Sequence, residues 1–192
     1  MDKILFVHGL ASSGAYKLAS TLRILLKPAD VLSPDFPIEP ELALSQLRAI
    51  VNQQAPELVV GLSWGGFLVQ QLRGQRKVLI NPDFSISSLL GTMTGEVPYL
   101  SPREDGALSF TVTPELCQRY RQLETFQFDG IDRKEKELTL GFFGRDDELV
   151  HCLPLFEEHY PGRSISYPGG HLPTFPQVKQ YILPHLLSFC HE

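Results

Sequence analysis

Leu58-Val59-Val60-Gly61-Leu62-Ser63-Trp64-Gly65-Gly66-Phe67-Leu68-Val69 joins an apolar, strand-like run to a helix-like one, with a serine flanked by glycines at the join. Gly61-x-Ser63-x-Gly65 at such a junction is the sequence form of a nucleophile elbow. A serine forced into so sharp a turn takes a strained backbone conformation. Its hydroxyl then stands clear of the sheet, at a helix N-terminus whose free N–H groups favour developing negative charge. The pentapeptide alone fits equally well a tight strand-to-helix turn with serine as N-cap. The choice depends on whether a base, an acid and an oxyanion loop follow in order.

They do. The order that accompanies this elbow is nucleophile, acid, histidine, with the last two on loops after later strands. Leu138 to Phe143 reads as a buried strand and runs into Gly144-Arg145-Asp146-Asp147-Glu148-Leu149-Val150. Ser164 to Tyr167 reads as a short strand and runs into Pro168-Gly169-Gly170-His171. Near the N-terminus, Lys3 to Val7 reads as a strand entering His8-Gly9-Leu10, where such folds place the second oxyanion donor.

On these segments the chain resembles the α/β-hydrolase superfamily and, within it, the small bacterial YqiA-like esterases. The likeness spans the strand into His8-Gly9 and Ser12-Ser13, the elbow, Asn81-Pro82, the loop around Asp147, and Gly169-Gly170-His171. It implies an α/β-hydrolase fold: a trimmed, mainly parallel sheet of about six strands with helices on both faces. The full hydrolase sheet has strands ahead of the one entering the oxyanion loop. This chain opens with that strand, which is expected to lie centrally.

Composition sets the outer bounds. A chain of 192 residues with 43% hydrophobic content fits one domain, 1–192. The net charge of -5 lacks the basic excess that would neutralise a phosphate backbone, which argues against nucleic acid as a partner. Cys117, Cys152 and Cys190 are odd in number and widely spaced, which fits neither a metal site nor a secreted disulfide framework. The apolar run at Ile4 to Val7 is too short for a signal peptide, and the run around Leu58 to Val69 is too short for a membrane span. These readings together predict a cytoplasmic protein.

Apolar runs alternate with helix-length segments, the signature of parallel strands joined by crossover helices. Strands are expected near 3–7, 29–32, 57–62, 77–81, 138–143 and 163–167, and helices near 13–26, 40–54, 64–73, 150–159 and 174–190. Leu42, Leu44, Leu47, Ile50 and Val51 read as a core-facing stripe on the second helix, and Pro184 as a kink or break in the last. Between Asn81-Pro82 and Leu138 the alternation fails. Glycines and prolines punctuate a strand-like Leu108 to Val112 and a helix opened by Thr113-Pro114-Glu115. Hydrolases carry a cap at this point in the order, so the resemblance makes 83–137 a small cap insertion. The alternative is an added layer on the sheet with no role in binding.

A serine hydroxyl needs a base to take its proton, and the base needs an orienting acid. His171, on a Gly-rich loop after the last strand, is the candidate base. His8 belongs to the oxyanion loop, His151 and His159 fall on an expected helix, and His185 and His191 lie near the C-terminus. None has a metal-ligand spacing, which disfavours a zinc hydrolase; no metal and no cofactor are expected. Asp147 is the preferred acid because Gly144-x-x-Asp147-x-x-Val150 resembles the superfamily's acid loop; Asp146 and Asp83 stay open. The oxyanion hole is expected from the backbone N–H groups of Leu10 and Trp64, and Trp64 either walls an acyl pocket or packs the elbow. Tyr99, Leu100 and Phe110 are candidate substrate contacts in the cap.

The reading is a serine esterase acting on a small-molecule ester or thioester through a catalytic triad and an acyl-enzyme. Two alternatives stand beside it. One is an acyl-CoA thioesterase or acyltransferase with the same triad, for which Arg103, Arg119 and Arg121 would meet an anionic leaving group. The other is a catalytically silent hydrolase fold used for binding.

Overall fold

In a computed structural model, which describes residues 1–191, every strand of the main sheet is preceded or followed by a helix that packs back on it. The strands are β1 (Lys3–Val7), β2 (Asp30–Leu32), β3 (Leu58–Leu62), β4 (Lys77–Ile80), β7 (Thr139–Gly144) and β8 (Ser164–Tyr167). They form one parallel sheet in the order β2-β1-β3-β4-β7-β8. β1 is paired on both sides but stands next to the edge strand; the middle of the sheet is β3 and β4. The expected central place of the first strand is thus corrected, because β2 alone crosses to its outer side.

The pleat divides the core in two. Leu5, Val7, Val59, Leu79 and Phe143 point to one face, where they pack under α2 (Pro40–Gln54), α3 (Trp64–Gln70) and α7 (Leu153–His159). Ile4, Phe6, Val60, Leu62, Val78, Ile80 and Phe142 point to the other, under α1 (Lys17–Leu25) and the C-terminal helical segment. Strands buried on both faces explain the unbroken apolar runs in the sequence. On α2 the buried residues are Pro40, Ala43, Leu44 and Leu47, whereas Leu42 is exposed. At 100° per residue, Leu42 lies too far round the helix from Leu44 to share its face.

The segment between β4 and β7 contains α4 (Ile86–Gly91), an antiparallel hairpin of β5 (Gly95–Pro98) and β6 (Ser109–Val112), α5 (Pro114–Phe126) and α6 (Arg133–Glu137). Thr113 caps α5 through its side chain, as its Thr-Pro-Glu opening predicts. Phe84, Ile86, Leu90, Phe110, Val112, Leu116 and Tyr120 enter the same core as α2 and α3. α6 is held by a buried ion pair between Glu135 and Lys77 of β4.

The last helical segment is continuous from Phe175 to His191 but changes pitch. α8 (Phe175–Gln177) passes into a π-helix over Val178–Ile182, and α9 (Leu183–His191) follows. Pro184 has no N–H to donate. The wide turns ahead of it loosen the helix without cutting it, where the sequence predicts a kink or break.

Candidate active site

Ser63 sits between β3 and α3 with φ 54 and ψ -116, a left-handed backbone that side chains avoid unless the surroundings impose it. The surroundings here are close-packed backbone. A Cβ on Gly61 would lie 2.5 Å from the Gly65 carbonyl oxygen, and one on Gly65 would lie 2.2 Å from that of Val7. Only glycine allows α3 to approach β1 and β3 this closely, so the flanking glycines create the elbow. The Ser63 backbone is gripped twice more: its N–H donates to Ile80 O at 3.0 Å, and its carbonyl accepts from Asp83 N–H at 3.2 Å.

Three loops at the carboxyl ends of β3, β7 and β8 converge. Ser63 Oγ lies 2.8 Å from His171 Nε2, and His171 Nδ1 lies 2.8 Å from Asp147 Oδ2. A carboxylate only accepts, so Nδ1–H donates to Asp147 and Nε2 is left to receive the Ser63 hydroxyl proton. Asp147 is buried, and its other oxygen accepts from the N–H groups of Leu149 and Val150 at 2.9 and 3.0 Å. Asp146 is exposed, with its backbone N–H donating to Gly169 O. Asp83 is buried next in line after Asn81-Pro82; burial raises its carboxyl above the usual range, and its side chain accepts from Ser85 N–H. The structure therefore brings Ser63, His171 and Asp147 into one chain of hydrogen bonds and leaves Asp146 and Asp83 outside it.

The N–H groups of Leu10 and Trp64 have no protein acceptor among the described residues. Trp64 lies at the first position of α3, where an N–H has no intrahelical partner. Leu10 follows Gly9, whose α-carbon faces Ser63. His8 holds this loop in shape: its Nδ1–H donates to Gly9 O at 2.9 Å, and its Nε2 accepts from Phe36 N–H at 3.1 Å. Burial lowers its pKa to about 4, so the ring is neutral at neutral pH.

The Trp64 side chain packs instead of lining a cleft. It is buried, and its Nε1–H donates to Tyr120 Oη at 2.7 Å; Tyr120 in turn donates to Ile38 O at 2.7 Å. Of the three residues expected to contact substrate, Phe110 is buried in the core, Tyr99 packs on Phe110 and under the Arg103 guanidinium, and Leu100 is 81% exposed. Leu100 N–H donates to Ala11 O at 2.7 Å, so this turn lies against the loop that follows β1. His151 is exposed in the loop before α7, and His159 closes α7 stacked on Phe128. Cys152 is buried, and burial pushes its thiol up to about 11, far from a thiolate.

Asn81 has no site role in the sequence reading, yet it is a polar hub beside Asp147 and His171. Its side chain bonds Gly144, Tyr167, Gly170 and His171. Its only sequence signal is the pair Asn81-Pro82 at a strand end. Among the described residues no group of His, Cys, Asp and Glu is arranged to hold a metal ion, and no helix is long and apolar enough to cross a membrane.

A sequence model described as the Alpha/beta hydrolase family matches residues 4–183. No curated protein matches the chain in sequence. Among solved structures, Est1E from Butyrivibrio proteoclasticus, determined with ferulic acid bound, superposes with a TM-score of 0.70 at 16% identity, covering 100% of this chain and 90% of that one. The monoacylglycerol lipase of Paleococcus ferrophilus gives 0.67 at 16% identity, with 98% and 93% covered. A pyrethroid hydrolase from Sphingobium faniae JZ-2 gives 0.61 at 14% identity, with 99% and 97% covered. At these identities the likeness establishes the fold.

Proposed function

The chain belongs to the α/β-hydrolase family, and on that premise we propose that it is a serine hydrolase that cleaves carboxylic esters through an acyl-enzyme on Ser63. The observation that carries this reading is the unbroken hydrogen-bond chain from Ser63 Oγ through His171 to Asp147. In the proposed reaction, Ser63 attacks the ester carbonyl as His171 Nε2 takes its proton, and Asp147 holds the tautomer and stabilises the imidazolium. The oxyanion is received by the N–H groups of Leu10 and Trp64. His171 then protonates the departing alkoxide. Water, deprotonated by the same nitrogen, releases the acid and restores Ser63.

A monoacylglycerol lipase and a pyrethroid hydrolase stand among the solved neighbours, which supports a small-molecule ester as substrate. Two of the arginines considered for an anionic leaving group are engaged within the chain, Arg103 with Asp105 and Arg119 with Glu41. That favours an ester over an acyl-CoA thioester. Three free cysteines suit a reducing compartment, and we place the protein in the cytoplasm. The narrower likeness to YqiA-like esterases belongs to this reading too, resting on the weaker matching pieces such as Asn81-Pro82.

A fluorophosphonate probe with an ester panel tests the proposal. The parent chain should be labelled on Ser63 and hydrolyse esters, and Ser63→Ala should remain folded and do neither. A folded parent that takes no label would favour the silent binding reading. Thioester turnover well above ester turnover would favour the thioesterase.

A further inference from the structure

Residues 80–83 lie at the carboxyl end of β4, between the nucleophile and the loops that carry its base and acid. Ile80 O and Asp83 N–H hold the backbone of Ser63. Asn81, between them, has φ 43, a left-handed conformation that asparagine tolerates better than most residues. Its own N–H still donates to Phe142 O, so the strand pairing is intact while the side chain turns across the sheet end toward β7 and β8.

That side chain is buried, and its amide orientation is dictated by its neighbours. Oδ1 accepts from Gly144 N–H at 2.7 Å, at the start of the acid loop. Nδ2 faces acceptors: His171 O at 2.7 Å, Tyr167 Oη at 3.0 Å and Gly170 O at 3.1 Å. The acid and histidine loops are also stitched to each other, Arg145 N–H to Tyr167 O and Asp146 N–H to Gly169 O. Those bonds keep base and acid together as a unit. The Asn81 side chain links that unit to the strand end that also fixes Ser63.

We propose that Asn81 is a positioning residue, setting the base-and-acid unit against the nucleophile by holding the backbone of His171 and of Gly144 at once. The proposal rests on the assignment of Ser63, His171 and Asp147 as the reacting triad. Asn81 acts through its neighbours and touches no reacting atom. The sensitivity is steep because a displacement of about 1 Å at a reacting centre costs on the order of 10²-fold in rate.

The test uses Asn81→Asp and Asn81→Gly in the full chain. Aspartate keeps the acceptor for Gly144 but turns an oxygen toward the carbonyls of Gly170 and His171, which can only accept. Glycine removes the side chain while accepting the left-handed backbone. The rate of fluorophosphonate labelling per folded site reports triad alignment, whereas labelling stoichiometry and the thermal midpoint report folding. Both variants are expected to label and turn over esters about 10²-fold more slowly, with KM little changed and stoichiometry near one. Parental labelling rates per folded site, with only stoichiometry or midpoint lowered, would make Asn81 structural and overturn the proposal.

If neither variant folds, Tyr167→Phe decides. It removes one acceptor of the Asn81 amide and should slow labelling about tenfold; an unchanged rate overturns the proposal. The parent separates the two readings. A parent that takes no label on Ser63 removes the hydrolase reading and the Asn81 role with it, whereas a labelled parent with variants at its rate removes the Asn81 role alone.

Discussion

Asp146 and Asp147 are adjacent in sequence and opposite in situation. Asp147 is buried with both oxygens bonded, one of them to His171, whereas Asp146 is exposed. Asp147→Asn keeps the shape but reverses a donor and an acceptor against Nδ1, so turnover should fall on the order of 10⁴-fold, as for the acid of the serine-protease triad. Asp146→Asn should leave turnover within about threefold, since surface substitutions away from such features change little. A steady-state assay on both variants checks this, and the reverse ranking would reassign the acid. His8 supplies a second test at this scale. Its folded pKa of about 4 lies below its ordinary 6.5, so between those values the unfolded chain binds more protons. The stability it lends is complete above pH 6.5 and is lost as pH falls toward 4, on the order of 3 kcal/mol. Denaturant midpoints across that range should fall in the parent and flatten in His8→Gln. An equal slope in both would place the acid sensitivity elsewhere. The meeting of Ser63 and His171 was legible because their immediate neighbours, glycines at a strand end, already make both positions unusual. Asn81 was not, because its partners lie 63 to 90 residues away and nothing local marks it.

Elements were legible where burial is two-sided or periodic. All six main strands fall within a residue or so of their apolar runs, and α2 spans Pro40–Gln54 as its pattern predicts. The short pieces between β4 and β7 were harder. α4, β5 and α6 have four to six residues each, too few for a period to show, and their positions come from tertiary contacts. Among the buried polar links that hold this region, two join it to the sheet and the elbow through side chains. Lys77 and Glu135 tie β4 to α6; Tyr120 of α5 joins Trp64 of the elbow to Ile38 O ahead of α2. Tyr120→Phe leaves the Trp64 N–H and the Ile38 carbonyl without that partner, and should cost about 1–3 kcal/mol of stability. Lys77→Met leaves a carboxylate buried and uncompensated and should cost about 3–5 kcal/mol; adding Glu135→Leu should restore most of it, because the isolated charge and not the lost pair dominates. Equilibrium denaturation of the single and double variants checks the sign. A double variant weaker than Lys77→Met would show that the pair itself stabilises the fold.

At the scale of the whole molecule, the sequence marks 83–137 by where alternation fails but not by how the segment sits, since that depends on contacts with distant parts of the chain. The hairpin and α5 bury Phe110, Val112, Leu116 and Tyr120 in the core that also holds Trp64 and Phe67. The polar side is tied as well: Asp35 accepts from both Gly14 N–H and Glu104 N–H, and Ser101 bonds Ser12 and Ser13 beside the oxyanion loop. A segment so embedded should not swing as a hinged lid. Its amides between 109 and 123 should exchange with solvent on the scale of β3 and β4, through openings close to global unfolding. Exchange many orders of magnitude faster than in the sheet would show that the segment opens independently of the sheet. The same packing separates the three residues considered as substrate contacts. Phe110→Ala removes a buried ring and should cost about 3–5 kcal/mol in stability. Leu100, 81% exposed on a turn bonded to Ala11, should cost little when changed to alanine. If substrate enters over the oxyanion loop, it is Leu100→Ala that should shift relative rates across a series of ester acyl lengths. Because one missing methylene in an apolar contact is worth about 10-fold or somewhat more, the shift should be readable in kcat/KM ratios. Unchanged ratios in Leu100→Ala, with a parental thermal midpoint, would place acyl recognition on the opposite rim, among the loops that carry Asp147 and His171.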